Sequence, residues 1–122
     1  MADFEKFTEQ QLLAAGEKML AKAMPVTNGC LETHLAGAGN GYAQVRITPA
    51  VKIYAHRLAA WMRSRLLPEK SDEASHLCHN FKCVNPDHLT FESQRVNKQR
   101  WCCQAHWRVT PGYWCPHQPQ CL

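Results

Sequence analysis

No apolar run in these 122 residues reaches the roughly twenty that a membrane-crossing helix needs. That excludes a helical membrane protein. The opening MADFEKFTEQQ carries acids and lacks an apolar core segment, so no secretory signal is expected. Internal repeats and low-complexity tracts are missing too, which removes solenoids and disordered arrays. An even cysteine count is also lacking. There are seven cysteines beside seven histidines. An odd number with no export signal argues against an oxidised disulfide framework, and reduced thiols near imidazoles suit zinc. A chain this short forms one domain that buries about two thirds of its unfolded surface, so it can fold alone but gains from a staple.

Acidic residues are scarce in the middle of the chain. Residues 42–70 hold Arg46, Lys52, Arg57, Arg63, Arg65 and Lys70 against Glu69 alone, and residues 82–108 hold five bases against Asp87 and Glu92. Such a middle favours an acidic partner, nucleic acid foremost. The plainer reading of the same charges is a solvated basic surface.

FEKFTEQQLLAAGEKMLAKA (4–23) has the spacing of an amphipathic helix, weakened at Gly16 and stopped by Pro25. In CLETHLAGAGNGYAQVRIT the period changes, and Gly37 to Gly41 predict a turn between two paired extended segments. In the second segment Ala43, Val45 and Ile47 alternate with Gln44, Arg46 and Thr48. A strand therefore offers an amide, a guanidinium and a hydroxyl in a row, side chains suited to base edges and phosphates. The commoner meaning of that pattern is an ordinary solvated face. YAHRLAAWMRSRLL (54–67) predicts a helix with Leu58, Met62 and Leu66 buried, ended by Pro68. Short strands are expected at ASHLC and LTF. A short helix is expected in ESQRVNKQRW, starting at Glu92 or Ser93, and the last twenty residues have no periodicity of their own. These elements make an α+β chain with antiparallel hairpins and short helices.

Cys78-x4-Cys83-x4-His88 places three zinc-type ligands on a tight loop turned by Asn85-Pro86. Tetrahedral zinc needs a fourth, and Cys30 is assigned by elimination. A second triplet, Cys115, His117 and Cys121, is completed by Cys102 or Cys103. Two structural zinc ions, each worth about 10 kcal/mol of apparent binding free energy, would order an otherwise aperiodic tail. His34, His79 and His106 are read as surface or packing residues, and His56 as a hydrogen-bonded structural histidine. His76 stands two residues before the first loop ligand. With zinc already satisfied, a neutral imidazole held beside a basic surface is placed to act as a general base. Asn97 lies among Arg95, Lys98 and Arg100. A neutral amide oxygen is a poor metal ligand by itself, but Mg²⁺ often takes one or two protein ligands and lets phosphate oxygens and water supply the rest.

The run ASHLCHNFKCVNPDHLTFESQRVNKQRWCC resembles the His-Cys box homing endonucleases, members of the ββα-metal (His-Me finger) nucleases. Through GYAQVRI, YAHRLA and HLCHNFKCVNPDHL it is also similar to HNH proteins of phages. The likeness covers roughly residues 28–121 and rests on the specific pattern SHLC-x4-C-x-NP-x-HL-x2-ES-x3-NK. With the helix read from spacing in 1–25, it implies a single zinc-stapled ββα-metal domain over 1–122, with a catalytic core and the first zinc in 28–101 and a second zinc loop in 102–122. It implies His76 as base and Asn97 as ligand of one catalytic Mg²⁺. Cys30, Cys78, Cys83 and His88 become the first zinc set. An ungapped alignment from Asn97 selects Cys103 to join Cys115, His117 and Cys121. Gln44, Arg46 and Thr48 match the family's DNA-reading strand.

The family carries an arginine on the cleaved phosphate just ahead of that strand. Tyr42 stands nearest here, so either Arg46 or Arg57 substitutes or catalysis is weaker. The family also dimerises through a C-terminal extension, and this sequence ends at Leu122. A homodimer is therefore an expectation of the resemblance alone. The implied activity is Mg²⁺-assisted hydrolysis of double-stranded DNA, with phosphate contacts from Arg46, Arg57 and Lys98 and a rate that rises with pH through about 6–7. A zinc-dependent DNA-binding module without catalysis is the alternative, and a zinc-stapled protein-interaction domain is a third. The expected setting is intracellular, in the nucleus of a eukaryote or the cytoplasm of a bacterium or phage host.

Overall fold

Thr8 starts the first helix, α1 (Glu9–Lys22), through a reciprocal cap. Its hydroxyl accepts from the Gln11 backbone N–H at 3.1 Å, and the Gln11 amide oxygen accepts from the Thr8 N–H at 2.9 Å. Leu12, Gly16 and Met19 are its buried stripe. Gly16 costs helix propensity, and a Cβ there would meet the flexible end of the Met62 side chain on the second helix, which would have to move aside. The computed structural model describes residues 4–34, 42–69, 71–109, 115–117 and 119–121. Among these, no helix is long and apolar enough to cross a membrane.

The pairing of the next strands differs from the expected hairpin. β2 (Leu31–Glu32) pairs antiparallel with β1 (Met24–Pro25), around a turn in which Asn28 and Gly29 adopt positive φ. β3 (Gln44–Thr48) pairs with β4 (Val51–Tyr54) across the Pro49-Ala50 turn, with Val45 opposite Ile53. The glycine cluster at 37–41 lies outside the described residues. The two extended segments on either side of it each find a partner closer in the chain, which closes a shorter loop at less entropic cost.

α2 (Ala55–Ser64) follows β4 directly and buries Ala55, Leu58, Ala59, Ala60 and Trp61. It ends at Arg65, which takes a left-handed conformation (φ 58) before Pro68 is reached. Leu66, expected in the buried stripe, is therefore beyond the helix and 72 % exposed. Phe4, Leu12, Met19, Val45, Ile53 and Leu89 close the core around α2.

β5 (Glu73–His76) pairs antiparallel with β6 (Leu89–Glu92), with His76 opposite Leu89. The connecting loop is shut at its base by the Leu77 N–H donating to the His88 carbonyl at 2.7 Å. Backbone hydrogen bonds from Val84 to Leu31 and from Thr33 to Lys82 pin that loop to β2. Ser93 then caps α3 (Gln94–Val109), its hydroxyl accepting from the Val96 N–H. β5, β6 and α3 form the ββα unit. α3 is longer than the expected 92–101 helix, and the boundary expected between 101 and 102 falls inside it. Its buried positions include Arg100 and Cys103, so no apolar stripe announced its length.

Candidate metal centres and active-site cleft

Cys30, Cys78, Cys83 and His88 converge, their ligand atoms all within 4.8 Å of one another. The His88 Nδ1 lies 3.6 Å from both the Cys30 and Cys83 sulfurs. Four ligands at Zn–S and Zn–N bond lengths around one tetrahedral ion would sit about 3.5–3.8 Å apart, so the donor set and its size both fit zinc. The turn at Asn28-Gly29 delivers Cys30, and the β5–β6 loop delivers the other three. Gly29 also lies against the His88 ring. Crowding divides the thiols. The Cys78 S–H donates to Cys83 and, with the Asn85 and Leu31 backbone, draws the Cys83 thiol down to about 5. The same hydrogen bond pushes Cys78 up. A cation would take over the place of the shared proton.

Cys103, Cys115, His117 and Cys121 form the second cluster. The His117 Nδ1 is 3.2 Å from the sulfurs of Cys103 and Cys115, which are 3.6 Å from each other. Cys103 comes from α3, and Cys102 beside it is exposed and remains the spare thiol. Arg100 ties this cluster to the sheet. Its Nε and Nη2 donate to the two Glu92 carboxylate oxygens at 2.6 and 2.9 Å, and its Nη1 donates to the Cys121 sulfur at 3.3 Å.

His76 stands outside the first cage. Its Nε2 is 3.0 Å from the Cys83 carbonyl oxygen, and because a carbonyl only accepts, Nε2 carries the proton and Nδ1 keeps its lone pair. Burial lowers the His76 pKa, so the ring is neutral at neutral pH. His76 and Asn97 line one cleft of about 140 Å³, together with Tyr42, His79, Phe81, Arg100, Trp101 and Gln104. Asn97, Arg100, Trp101 and Gln104 follow the i, i+3, i+4, i+7 spacing of a single helix face. Tyr42 stacks on His56 at 4.5 Å, and His56 on His76 at 5.4 Å. Burial first, then the neighbouring His76 and Arg57, pull the His56 pKa down to about 3, in keeping with its reading as a structural histidine.

On the ribbon, Ala43 and Val45 are buried and Ile47 packs on the core. Arg46 is exposed, Gln44 and Thr48 are half-buried, and the Arg46 Nη1 donates to the Pro49 carbonyl. Lys98 is exposed beside Asn97. Arg57 departs from its expected place on a DNA-facing surface. Its guanidinium lies over the Phe4 and Phe91 rings at 5.6 and 5.3 Å and donates to the Asp72 carbonyl at 2.9 Å. Two aromatic faces and a carbonyl draw it inward, which leaves Arg46 as the more exposed of the two arginines expected to replace the family's phosphate arginine.

Residues 29–122 match the sequence model of a family described as the zinc-binding loop region of homing endonucleases. The chain belongs to this family. Membership carries a nuclease-related role with DNA as the substrate class. In this homing-endonuclease relative, both cages fall inside the matched segment, whereas α1 falls outside it. Residues of the site not anticipated from sequence include Glu92 as the partner of Arg100, and Phe81, Trp101 and Gln104 in the cleft. Their spacing from Asn97 would have exposed the last two had the helix been extended past residue 101.

Proposed function

We propose that the chain is a metal-dependent DNA endonuclease that hydrolyses phosphodiester bonds with one Mg²⁺ and a histidine base. One observation carries this reading: His76 is excluded from the zinc cage, has its tautomer set by the Cys83 carbonyl, and shares a cleft with Asn97. His76 takes the proton of the attacking water on Nδ1, while Nε2–H stays donated to the carbonyl. Asn97 offers its amide oxygen to the metal. Bound there, Mg²⁺ would stabilise the charge on the scissile phosphate and the leaving oxygen. Among the described residues, no carboxylate lines the cleft. A single neutral oxygen makes a weak Mg²⁺ site that phosphate oxygens must complete, so metal and DNA bind together. Gln44, Arg46, Thr48 and Lys98 contact the duplex. The two zinc ions hold the β5–β6 loop and α3 in position. The setting that fits reduced thiols and a DNA substrate is intracellular.

Zinc-loaded protein incubated with supercoiled plasmid and Mg²⁺ tests this. Wild type nicks the plasmid, and His76→Ala binds it without cutting. Unchanged nicking by His76→Ala removes the histidine from the chemistry. A second reading, a zinc-dependent DNA-binding module without catalysis, is favoured by the arginines. Tyr42 occupies the position expected for a phosphate arginine, Arg57 is turned inward, and Arg100, which lines the cleft, is paired with Glu92. Plasmid that stays supercoiled with wild-type protein and Mg²⁺, yet is bound, decides for that reading.

A further inference from the structure

A second concavity, of about 360 Å³, shares no lining residue with the His76–Asn97 cleft. It runs between α1 and the β3–β4 ribbon. Ala15, Met19 and Val45 form its floor. Lys18 and Lys22 from α1 face Arg46 and Lys52 from the ribbon, with His34 and Gln44 beside them, and no carboxylate lines it among the described residues. Lys18, Lys22, Arg46 and Lys52 are all exposed. Four cations around one groove repel one another, and an anion laid between them relieves that repulsion.

We infer that α1 is a second wall of the DNA-binding surface, on which Lys18 and Lys22 hold the sugar–phosphate backbone of a duplex engaged by the ribbon. The inference rests on the DNA reading proposed above and adds to it a part of the chain outside the family segment, residues 9–22. Charge complementarity and continuity with the ribbon select the occupant. Gln44 and Arg46, residue types suited to base edges, line the same groove as the two lysines. Lys18 and Lys22 are four residues apart, on one helix face and separated by about 6 Å of rise, which suits backbone contacts strung along a strand. Such contacts fix register and orientation and carry no sequence information.

The test is binding of full-length, zinc-loaded protein to a mixed-sequence duplex without Mg²⁺, followed by fluorescence anisotropy across a salt series. Lys18→Gln/Lys22→Gln should flatten the slope of log K against log salt by about 1.8, roughly 0.9 for each phosphate no longer neutralised. Affinity should fall by the same factor on duplexes of different sequence, and Lys18→Arg/Lys22→Arg should restore the slope. An unchanged slope in the glutamine variant, with wild type still binding, overturns the inference and leaves the DNA reading standing. Absence of salt-sensitive binding by wild type overturns both. If the glutamine variant loses only binding of inorganic phosphate and keeps its duplex slope, the groove is a small-anion site and the inference fails.

Discussion

Replacing Arg100 by alanine is expected to destabilise the zinc-loaded protein by about 3–5 kcal/mol. Arg100 is 1 % exposed, and its partner Glu92 keeps only 10 % of its side chain in solvent. The substitution removes both charge-assisted hydrogen bonds and the interaction with Cys121, and leaves a carboxylate with little water to replace them. The exposed pair Arg65–Glu9 is the internal comparison: at 3.9 Å with side chains 44 % and 72 % exposed, its removal in Glu9→Gln should cost under about 1 kcal/mol. Urea unfolding at fixed free zinc measures both. The double variant Arg100→Met/Glu92→Leu should recover most of the stability, because an apolar pair can fill a buried ion-pair site without a stranded charge. Asn97 lies three residues before Arg100 on α3, so Arg100→Ala should also depress Mg²⁺-dependent nicking while the first zinc stays bound. A cost below about 1 kcal/mol for Arg100→Ala, or no recovery in the double variant, would refute this account of how α3 is docked.

Asn97→Ala should retain folding and zinc content yet lose Mg²⁺-dependent nicking, and full activity at ordinary Mg²⁺ would remove it as the metal ligand. Cys83→Ser should lower the zinc content from two ions to one per chain, read by a colorimetric chelator, with a large drop in melting temperature; retention of two ions would dissolve the first cage. His56 gives a pH effect of definite sign. Folded, it stays neutral down to about 3, whereas unfolded it protonates near 6.5. Its contribution is therefore complete above 6.5 and is lost as pH falls from 6.5 toward 3, by at most about 1.4 kcal/mol per unit. His56→Phe should flatten the acid limb of the stability curve relative to wild type, and equal slopes would show that the ring is not buried neutral. Because burial lowers the His76 pKa, the rise of cleavage with pH should also fall below 6.5.

The ligand triplets were readable because their members are close in sequence: 78, 83 and 88, then 115, 117 and 121. Short loops leave few ways to arrange such donors. Cys30 is far from its set, and apart from the family resemblance only the count of remaining thiols pointed to it. The β3 strand was legible from its alternation, but its partner was not. A glycine cluster is a strong turn signal, and it masked the two-residue connection at Pro49-Ala50. The length of α3 was hidden by chemistry, since a helix buried through Arg100 and Cys103 shows no apolar period. Arg57 shows the limit of counting charges. A guanidinium that stacks on two phenylalanines and donates to a carbonyl is engaged in packing, which a count of formal charges does not reveal.

Cys83 contributes two atoms to two separate tasks, its sulfur to a cage and its carbonyl oxygen to the ring of His76. Chelation or oxidation at that thiol would loosen the same peptide that fixes the imidazole. Loss of zinc at this cage should thus cost the proposed base its placement at the same time as it costs the fold its staple.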